Sequence, residues 1–361
     1  DCVCVFLFLP SLPLRMFPSS PFRESYNSYC RLQLSKMTYR GTIYPNAFFD
    51  DYQAAEHLEK AMRGGREERE KGVLLLLSAN NAQRQMIRTP YKVRYGKDLE
   101  EELKKSLKGD FEEVILSLMN TPTKEDVVLL HKAVKGLGTN EKLLTEILCS
   151  RENDELEAIR NVYFANYGKS LEDAVVSDTS GDYRKLLVRL VQGARDTTAH
   201  ADGYKAQLDA SALAKPLEKK LIGGADKFDK YRVLATDSWP QLKKTLEEYE
   251  RKTGQTLEKG IEKELSGDLA EAALSLYRIA AFGKARYFAL LIQSAVKGRG
   301  TRDEDLIRVL VSRAEIDLED IKQEFAAISG KQLSAVITED CKGAYKDALL
   351  ALVRGNKAQS F

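Results

Sequence analysis

The sequence is poor in the residues from which compact reactive or stapled sites are built. Its 361 residues include three histidines, one tryptophan and five cysteines. The cysteines (Cys2, Cys4, Cys30, Cys149 and Cys341) are odd in number and, apart from the first two, far apart. That pattern is neither a disulfide framework nor a zinc ligand set, and it favours a reducing compartment. His57, His131 and His200 share no spacing suited to a metal pair or a triad, and no nucleophile stands beside a base, so the chain is not expected to be an enzyme. Charge of one sign is also lacking. Lys and Arg number 56 against 54 Asp and Glu, a formal net charge of +2, and no basic patch stands out, which argues against nucleic acid as a partner. The apolar run Val3 to Leu9 falls well short of the roughly 20 residues of a membrane-spanning helix. The first basic residue, Arg15, follows that run instead of preceding it, which is the reverse of a secretory leader.

What is present suits a packed helical protein: 43% of residues are hydrophobic and 30% charged. Residues 1–44 read as a partly disordered leader, within which Met37 is a candidate natural start. Beyond it the chain repeats itself. Lys135-Gly136-Leu137-Gly138-Thr139 returns 162 residues later as Lys297-Gly298-Arg299-Gly300-Thr301, and at the same offset Ser150-Arg151 meets Ser312-Arg313, Gly168-Lys169 meets Gly330-Lys331, and Asp178 meets Asp340. Fainter copies align Tyr95-Gly96-Lys97 with Tyr167-Gly168-Lys169, and Ser266-Gly267-Asp268 with Ser180-Gly181-Asp182. This self-similarity predicts four units of about 70 residues: 45–120, 121–196, 213–279 and 280–357, with 197–212 as a connector between the second and third. Apolar spacing within a unit is helical, as at Leu143, Leu144, Ile147 and Leu148. Breaks at Gly136, Gly138, Gly168 and Gly181 predict about five helices per unit, with Thr301 and Glu304 as a capping box, and no alternating strand pattern appears. The fold class is all-α.

The repeated glycine loops carry the chemistry. Calcium takes six to eight hard oxygen ligands, and main-chain carbonyls supply several where the chain curls tightly. Gly136 and Gly138 tolerate the positive φ that such a curl needs, so the carbonyls of Val134, Gly136 and Gly138 are candidate ligands, and Val296, Gly298 and Gly300 are their counterparts. The loop has no acid of its own. Asp178 follows Gly136 by 42 residues, and Asp340 follows Gly298 by the same interval, so each is the candidate carboxylate of its unit.

Lys-Gly-x-Gly-Thr with an acid about forty residues on, in four units, resembles the annexin family over roughly Pro45 to Gly355. The resemblance implies a curved disc of five-helix repeats whose convex face carries calcium loops. Two units depart from the pattern. In the first, Met62-Arg63-Gly64-Gly65-Arg66 puts an arginine at the second glycine, and Ser106 replaces the acid, so this site is expected to be dead. In the third, Ile222-Gly223-Gly224-Ala225 keeps Gly224 and the acid Glu264, a weaker candidate metal site.

One carboxylate and neutral carbonyls make a weak site in water, on the order of 10⁻⁴ to 10⁻³ M. A lipid phosphate or serine carboxylate would supply the missing oxygen and the missing charge. The expected partner is therefore an acidic phospholipid membrane, bound reversibly with calcium as the bridging ion. Lys135, Leu137, Lys297 and Arg299 are the candidate lipid contacts. The rival reading is a helical-array scaffold for protein partners with secondary membrane affinity, and a third is a calcium-independent structural protein acting through a protein partner of the N-terminal leader. The resemblance implies a cytoplasmic, peripheral protein, although some family members occur outside cells. Gly168-Lys169-Ser170 is not a phosphate-binding loop, because Tyr163 stands where an upstream glycine is required.

Overall fold

The computed structural model describes residues 40–136, 138–217, 227–298 and 300–357. The expectations for residues 1–39, and for Leu137, Ile222 to Ala225 and Arg299, lie outside the described residues. Among the described residues the protein has 21 α-helices and no strand.

The first unit comprises α1 (Asp51–Arg63), α2 (Arg66–Val73), α3 (Asn81–Tyr95), α4 (Leu99–Ser106) and α5 (Gly109–Met119). The second comprises α6 (Pro122–Val134), α7 (Glu141–Ser150), α8 (Asn153–Tyr167), α9 (Leu171–Asp178) and α10 (Gly181–Val191). In the third, α11 (Gly203–Ala214) is followed by two short pieces, α12 (Lys227–Tyr231) and α13 (Val233–Thr236), in place of one second helix. That unit continues with α14 (Trp239–Thr253), α15 (Leu257–Glu264) and α16 (Gly267–Phe282). The fourth comprises α17 (Lys284–Val296), α18 (Asp303–Arg313), α19 (Leu318–Ser329), α20 (Leu333–Asp340) and α21 (Gly343–Arg354).

Local chemistry sets these boundaries. Thr121 caps α6 through the Lys124 N–H, with Pro122 in the first turn, and Ser238 caps α14 ahead of Pro240 in the same way. The third helix of every unit ends on a left-handed glycine, Gly96, Gly168, Gly254 or Gly330, at φ between 66° and 72°. Helix α7 is buried along its whole face set from Leu143 to Ser150, as a helix must be when neighbours surround it. Each fully buried leucine in such a helix, Leu144 for example, contributes about 1.5–3 kcal/mol relative to exposure.

Two sequence expectations need correction. The stretch 197–212 is not all connector, because α11 begins at Gly203 and packs against α14. Its buried stripe is narrow, Ala206, Ala210 and Leu213, and small residues give a weak apolar signal while allowing close helix approach. Nor does Thr301 open a capping box. Arg302 occupies the N-cap of α18 with no side-chain cap, and in the second unit the cap is Asn140, whose side chain accepts the Leu143 N–H at 3.0 Å.

The units join in pairs. Helix α7 packs on α16, tying the second unit to the third, and α5 packs on α18 and α21, tying the first to the fourth. The segment Arg40 to Tyr44 fastens this second seam. Thr42 donates to the Leu352 carbonyl at 2.6 Å, while the Asn356 amide donates to the carbonyls of Tyr44 and Ser78 at 2.9 and 2.8 Å. Between the second and fourth units lies a polar contact. Arg308 meets Glu146 in a bidentate pair at 2.8 and 2.7 Å, flanked by Lys142 with Asp305 and by Lys132 with Glu304 at 3.0 Å. Glu146 and Arg308 occupy the same position of their two repeats, 162 residues apart.

Candidate metal centres

In the second unit the chain leaves α6 after Val134 and turns back through Gly136 at φ 129° and Gly138 at φ 97°. In the fourth it leaves α17 after Val296 and turns through Gly298 at 119° and Gly300 at 84°. A Cβ at any of these four glycines would meet nothing within 4 Å, so the requirement is backbone conformation and not space. Both loops close with the same bond: the Asn140 N–H donates to Ala133 O and the Arg302 N–H to Ala295 O, each at 2.9 Å. Among the described residues, no hydrogen bond reaches the carbonyls of Gly136, Gly138, Gly298 or Gly300, so these hard oxygens are available as ligands in each loop.

Asp178 ends α9 and Asp340 ends α20, and both are exposed. The structure ties Asp178 to its loop, because the Thr139 hydroxyl donates to the Asp178 carbonyl at 2.8 Å. The Asp178 carboxylate accepts from the Ser177 hydroxyl at 2.9 Å, and Ser177 in turn receives Lys169 at 3.0 Å. No matching bond joins Thr301 to Asp340 among the described residues. Lys135 and Lys297 lie exposed beside the loops. Among the described residues no three His, Cys, Asp or Glu side chains gather into a metal cluster. The donor set on offer is therefore main-chain oxygen plus one carboxylate, which suits a hard cation such as calcium and not a soft one.

The first unit is built differently. Gly64 and Gly65 have ordinary φ values of −76° and −63°, and α2 begins at Arg66, three residues earlier than α7 does in its own repeat. Residues that curl into a loop in the second unit are helical here. The Arg69 guanidinium donates to the Ser106 carbonyl at 2.8 Å and to the Gly64 carbonyl at 3.2 Å, the positions equivalent to Asp178 and Gly136. In the third unit Glu264 accepts from the Lys230 ammonium at 2.5 Å and from the Tyr231 hydroxyl at 2.8 Å. Each of these two units thus holds a side-chain cation where the sequence suggested a damaged metal loop. Nothing in the motif pointed to Arg69 or Lys230, since both lie on the second helix, beyond the loop itself.

The remaining titratable groups are explained by packing. His131 stacks on Tyr167 at 3.6 Å between centroids, and burial, with Lys135 nearby, pushes its pKa down. Cys149 is fully buried, and burial pushes its thiol up to about 12.

A helical array of four homologous units, two of them with positive-φ glycine loops and an exposed aspartate at the end of the fourth helix, defines a class of all-helical repeat protein. Comparison with known proteins narrows the class. The Annexin family model matches four times, at residues 52–118, 125–190, 212–276 and 287–352, and the chain belongs to the annexin family. It is 41% identical over 317 residues to annexin A11 of Homo sapiens, an alignment covering 88% of this chain and 62% of that protein. With annexin A5 of Homo sapiens the identity is 42% over 313 residues, covering 87% of this chain and 97% of the relative. Among solved structures, annexin III superposes with a TM-score of 0.82 at 38% identity, covering 88% of this chain and 97% of that one. A calcium-bound annexin (Sm)1 gives 0.74 at 30% identity, over 87% and 93% of the two chains. Among the described residues no helix is long and apolar enough to cross a membrane.

Proposed function

We propose that this protein binds acidic phospholipid membranes reversibly and in a calcium-dependent manner, through the loops of its second and fourth units. The observation that carries the reading is the pair of matching loops. Each has two positive-φ glycines whose carbonyls receive no hydrogen bond among the described residues, and an exposed aspartate at the end of the fourth helix of its unit. Val134, Gly136, Gly138 and Asp178 would hold one calcium ion, and Val296, Gly298, Gly300 and Asp340 a second. Calcium would contribute positive charge and open coordination positions that a lipid phosphate or carboxylate completes.

Because binding of the two ligands is linked, lipid raises calcium affinity by the factor with which calcium raises lipid affinity. Two loops on one packed body add avidity. Lys135 and Lys297, with Leu137 and Arg299, would touch the leaflet, each lysine or arginine contributing about 1 kcal/mol near an acidic surface. Gly224 and Glu264 are not assigned a calcium ion, since the Glu264 carboxylate already has Lys230 and Tyr231 as partners. The assignment is of a binding protein and not an enzyme, acting peripherally from the cytoplasmic side.

Cosedimentation with phosphatidylserine vesicles tests the reading. Pelleting with calcium and release by chelator are expected, and the double variant Asp178→Asn, Asp340→Asn should lose more than 100-fold in apparent calcium affinity, the scale of bivalent avidity. Full binding by that variant would show the ligands to be elsewhere. Pelleting indifferent to chelator, or none at all, would favour the scaffold reading.

A further inference from the structure

The seam between the first and fourth units holds a cavity of about 450 Å³, within the usual range for small-ligand sites. It lies beside the proposed calcium position, since Asp340 lines it together with Arg66 from the loop region of the first unit. Its lining carries both signs of charge: Arg66, Lys108 and Lys342 against Glu70, Asp110, Asp303 and Asp340.

The two lysines distinguish this seam from the rest of the molecule. Lys108 directly precedes α5 and Lys342 directly precedes α21, whereas the second and third units carry Ser180 and Ser266 at that position. The two units that adjoin across the seam are therefore the two in which serine is replaced by lysine. Arg66 is bridged to Glu70 at 2.8 Å, but neither lysine pairs with a carboxylate among the described residues, and both are exposed. On the acidic side, one Asp303 oxygen accepts the Tyr345 hydroxyl at 2.8 Å. Burial, with Asp303 nearby, pushes the Asp110 carboxyl above its ordinary range.

A plain anion would meet four carboxylates here, and a plain cation would meet the lysines. A group that carries a phosphate and an ammonium a few bonds apart satisfies both. We propose that this crevice is a subsite for an amino-phosphate headgroup, of the phosphoserine or phosphoethanolamine type, with Lys108 and Lys342 on the phosphate and Asp110 and Asp303 on the ammonium, Asp340 being left to calcium. Phosphate and ammonium together could come from a lipid or from a soluble phosphoamino compound. Its position next to Asp340 assigns it to the lipid, and in that respect it rests on the membrane reading above. The subsite gives the protein a choice among acidic lipids that loops of carbonyl oxygens and one carboxylate do not supply.

The test uses the full chain. In chelator, calorimetric titration with O-phosphoserine should show binding at least tenfold tighter than with inorganic phosphate. The variant Lys108→Ser, Lys342→Ser takes the residues of the sister units, so its helix content should match the parent by circular dichroism. It should lose that phosphoserine binding tenfold or more. A charge-matched control, Lys104→Gln with Lys105→Gln on α4, should change it less than twofold. On vesicles of equal charge with calcium, the parent should prefer phosphatidylserine to phosphatidylglycerol. The lysine variant should lose the preference while still binding phosphatidylglycerol in a calcium-dependent way. Loss of calcium-dependent phosphatidylglycerol binding in Asp178→Asn, Asp340→Asn reports on the loops alone, so the two readings fail separately. Equal affinity for phosphoserine and phosphate, or an unchanged lysine variant, would overturn the subsite. Phosphoserine binding without a vesicle preference would overturn its assignment to lipid.

Discussion

Thr139 makes a bond for which its repeat partner Thr301 has no counterpart among the described residues, which turns the near-identity of the two loops into a measurement. Its hydroxyl reaches the Asp178 carbonyl at 2.8 Å and so holds the glycine loop against the end of α9. Thr139→Val removes the hydroxyl and keeps the branched shape. A neutral hydrogen bond contributes about 0.5–1.5 kcal/mol net, and an exposed one such as this belongs near 1 kcal/mol or below. Since about 1.4 kcal/mol is tenfold in an equilibrium constant, the calcium needed for half-maximal vesicle binding at the second unit should rise about fivefold. To isolate that unit the substitution is made on Asp340→Asn, and binding is followed by cosedimentation across a calcium titration. Thr139→Ser should restore parental behaviour. Thr301→Val on Asp178→Asn should shift the midpoint less than twofold, because no bond joins Thr301 to Asp340 among the described residues. Equal shifts for Thr139→Val and Thr301→Val, or none for Thr139→Val, would refute the idea that this hydroxyl sets the distance between loop and carboxylate.

Gly138→Ala should weaken calcium binding at the second unit with little change in melting temperature, because φ 97° strains an alanine by about 1–2 kcal/mol while its Cβ has open space. Calorimetry of calcium binding in the presence of lipid reads the first effect and a thermal melt the second. Glu146→Ala should destabilise the fold by about 3 kcal/mol in urea denaturation, the low end for one partner of a buried ion pair, because Arg308 keeps Asp305 at 2.8 Å. Although burial alone would raise it, hydrogen bonds from Lys142, Arg302 and Arg308 hold the Asp305 carboxyl well below the usual range. A depressed folded-state pKa contributes stability that is complete above the unfolded value near 3.9 and is lost as pH falls below it. Asp305→Asn should therefore be less stable than the parent at pH 6, with the gap closing between about pH 4 and pH 2 in a denaturant series.

The all-helical class, the fourfold repeat and the family were legible because they are written redundantly. Gly96, Gly168, Gly254 and Gly330 end the third helix of all four units, and one such glycine would have meant little. The glycine loops were legible for a similar reason, since a position needing positive φ leaves few residues to choose from. What stayed hidden depends on neighbours distant in sequence. Helix α11 shows only two alanines and a leucine to the core, a stripe that looks like a connector until α14 lies against it. The cap of α18 was misplaced by one residue, since Arg302 and not Thr301 occupies it, just as Asn140 and not Thr139 caps α7 while the Thr139 hydroxyl goes to the Asp178 carbonyl. The crevice lined by Lys108 and Lys342 needs two units folded together, and no local pattern brings residues 234 positions apart to one wall.

The first and third units show why a decayed motif is a poor guide to what replaces it. An arginine in the loop and a missing acid imply only that a metal is lost. Losing a cation from between carbonyl oxygens would leave acceptors facing one another, at a cost unless donors arrive. In the first unit Arg69 supplies them, joining the Gly64 and Ser106 carbonyls, and in the third Lys230 joins Glu264 to the Lys215 carbonyl at 2.7 Å. Both side chains come from the second helix of the unit, and both are basic donors. These contacts tie the second helix to the fourth in both units, while among the described residues no hydrogen bond reaches the carbonyls of Gly136, Gly138, Gly298 or Gly300. On the proposed reading, calcium would act at the corners of the second and fourth units, where no such side-chain cation is found among the described residues.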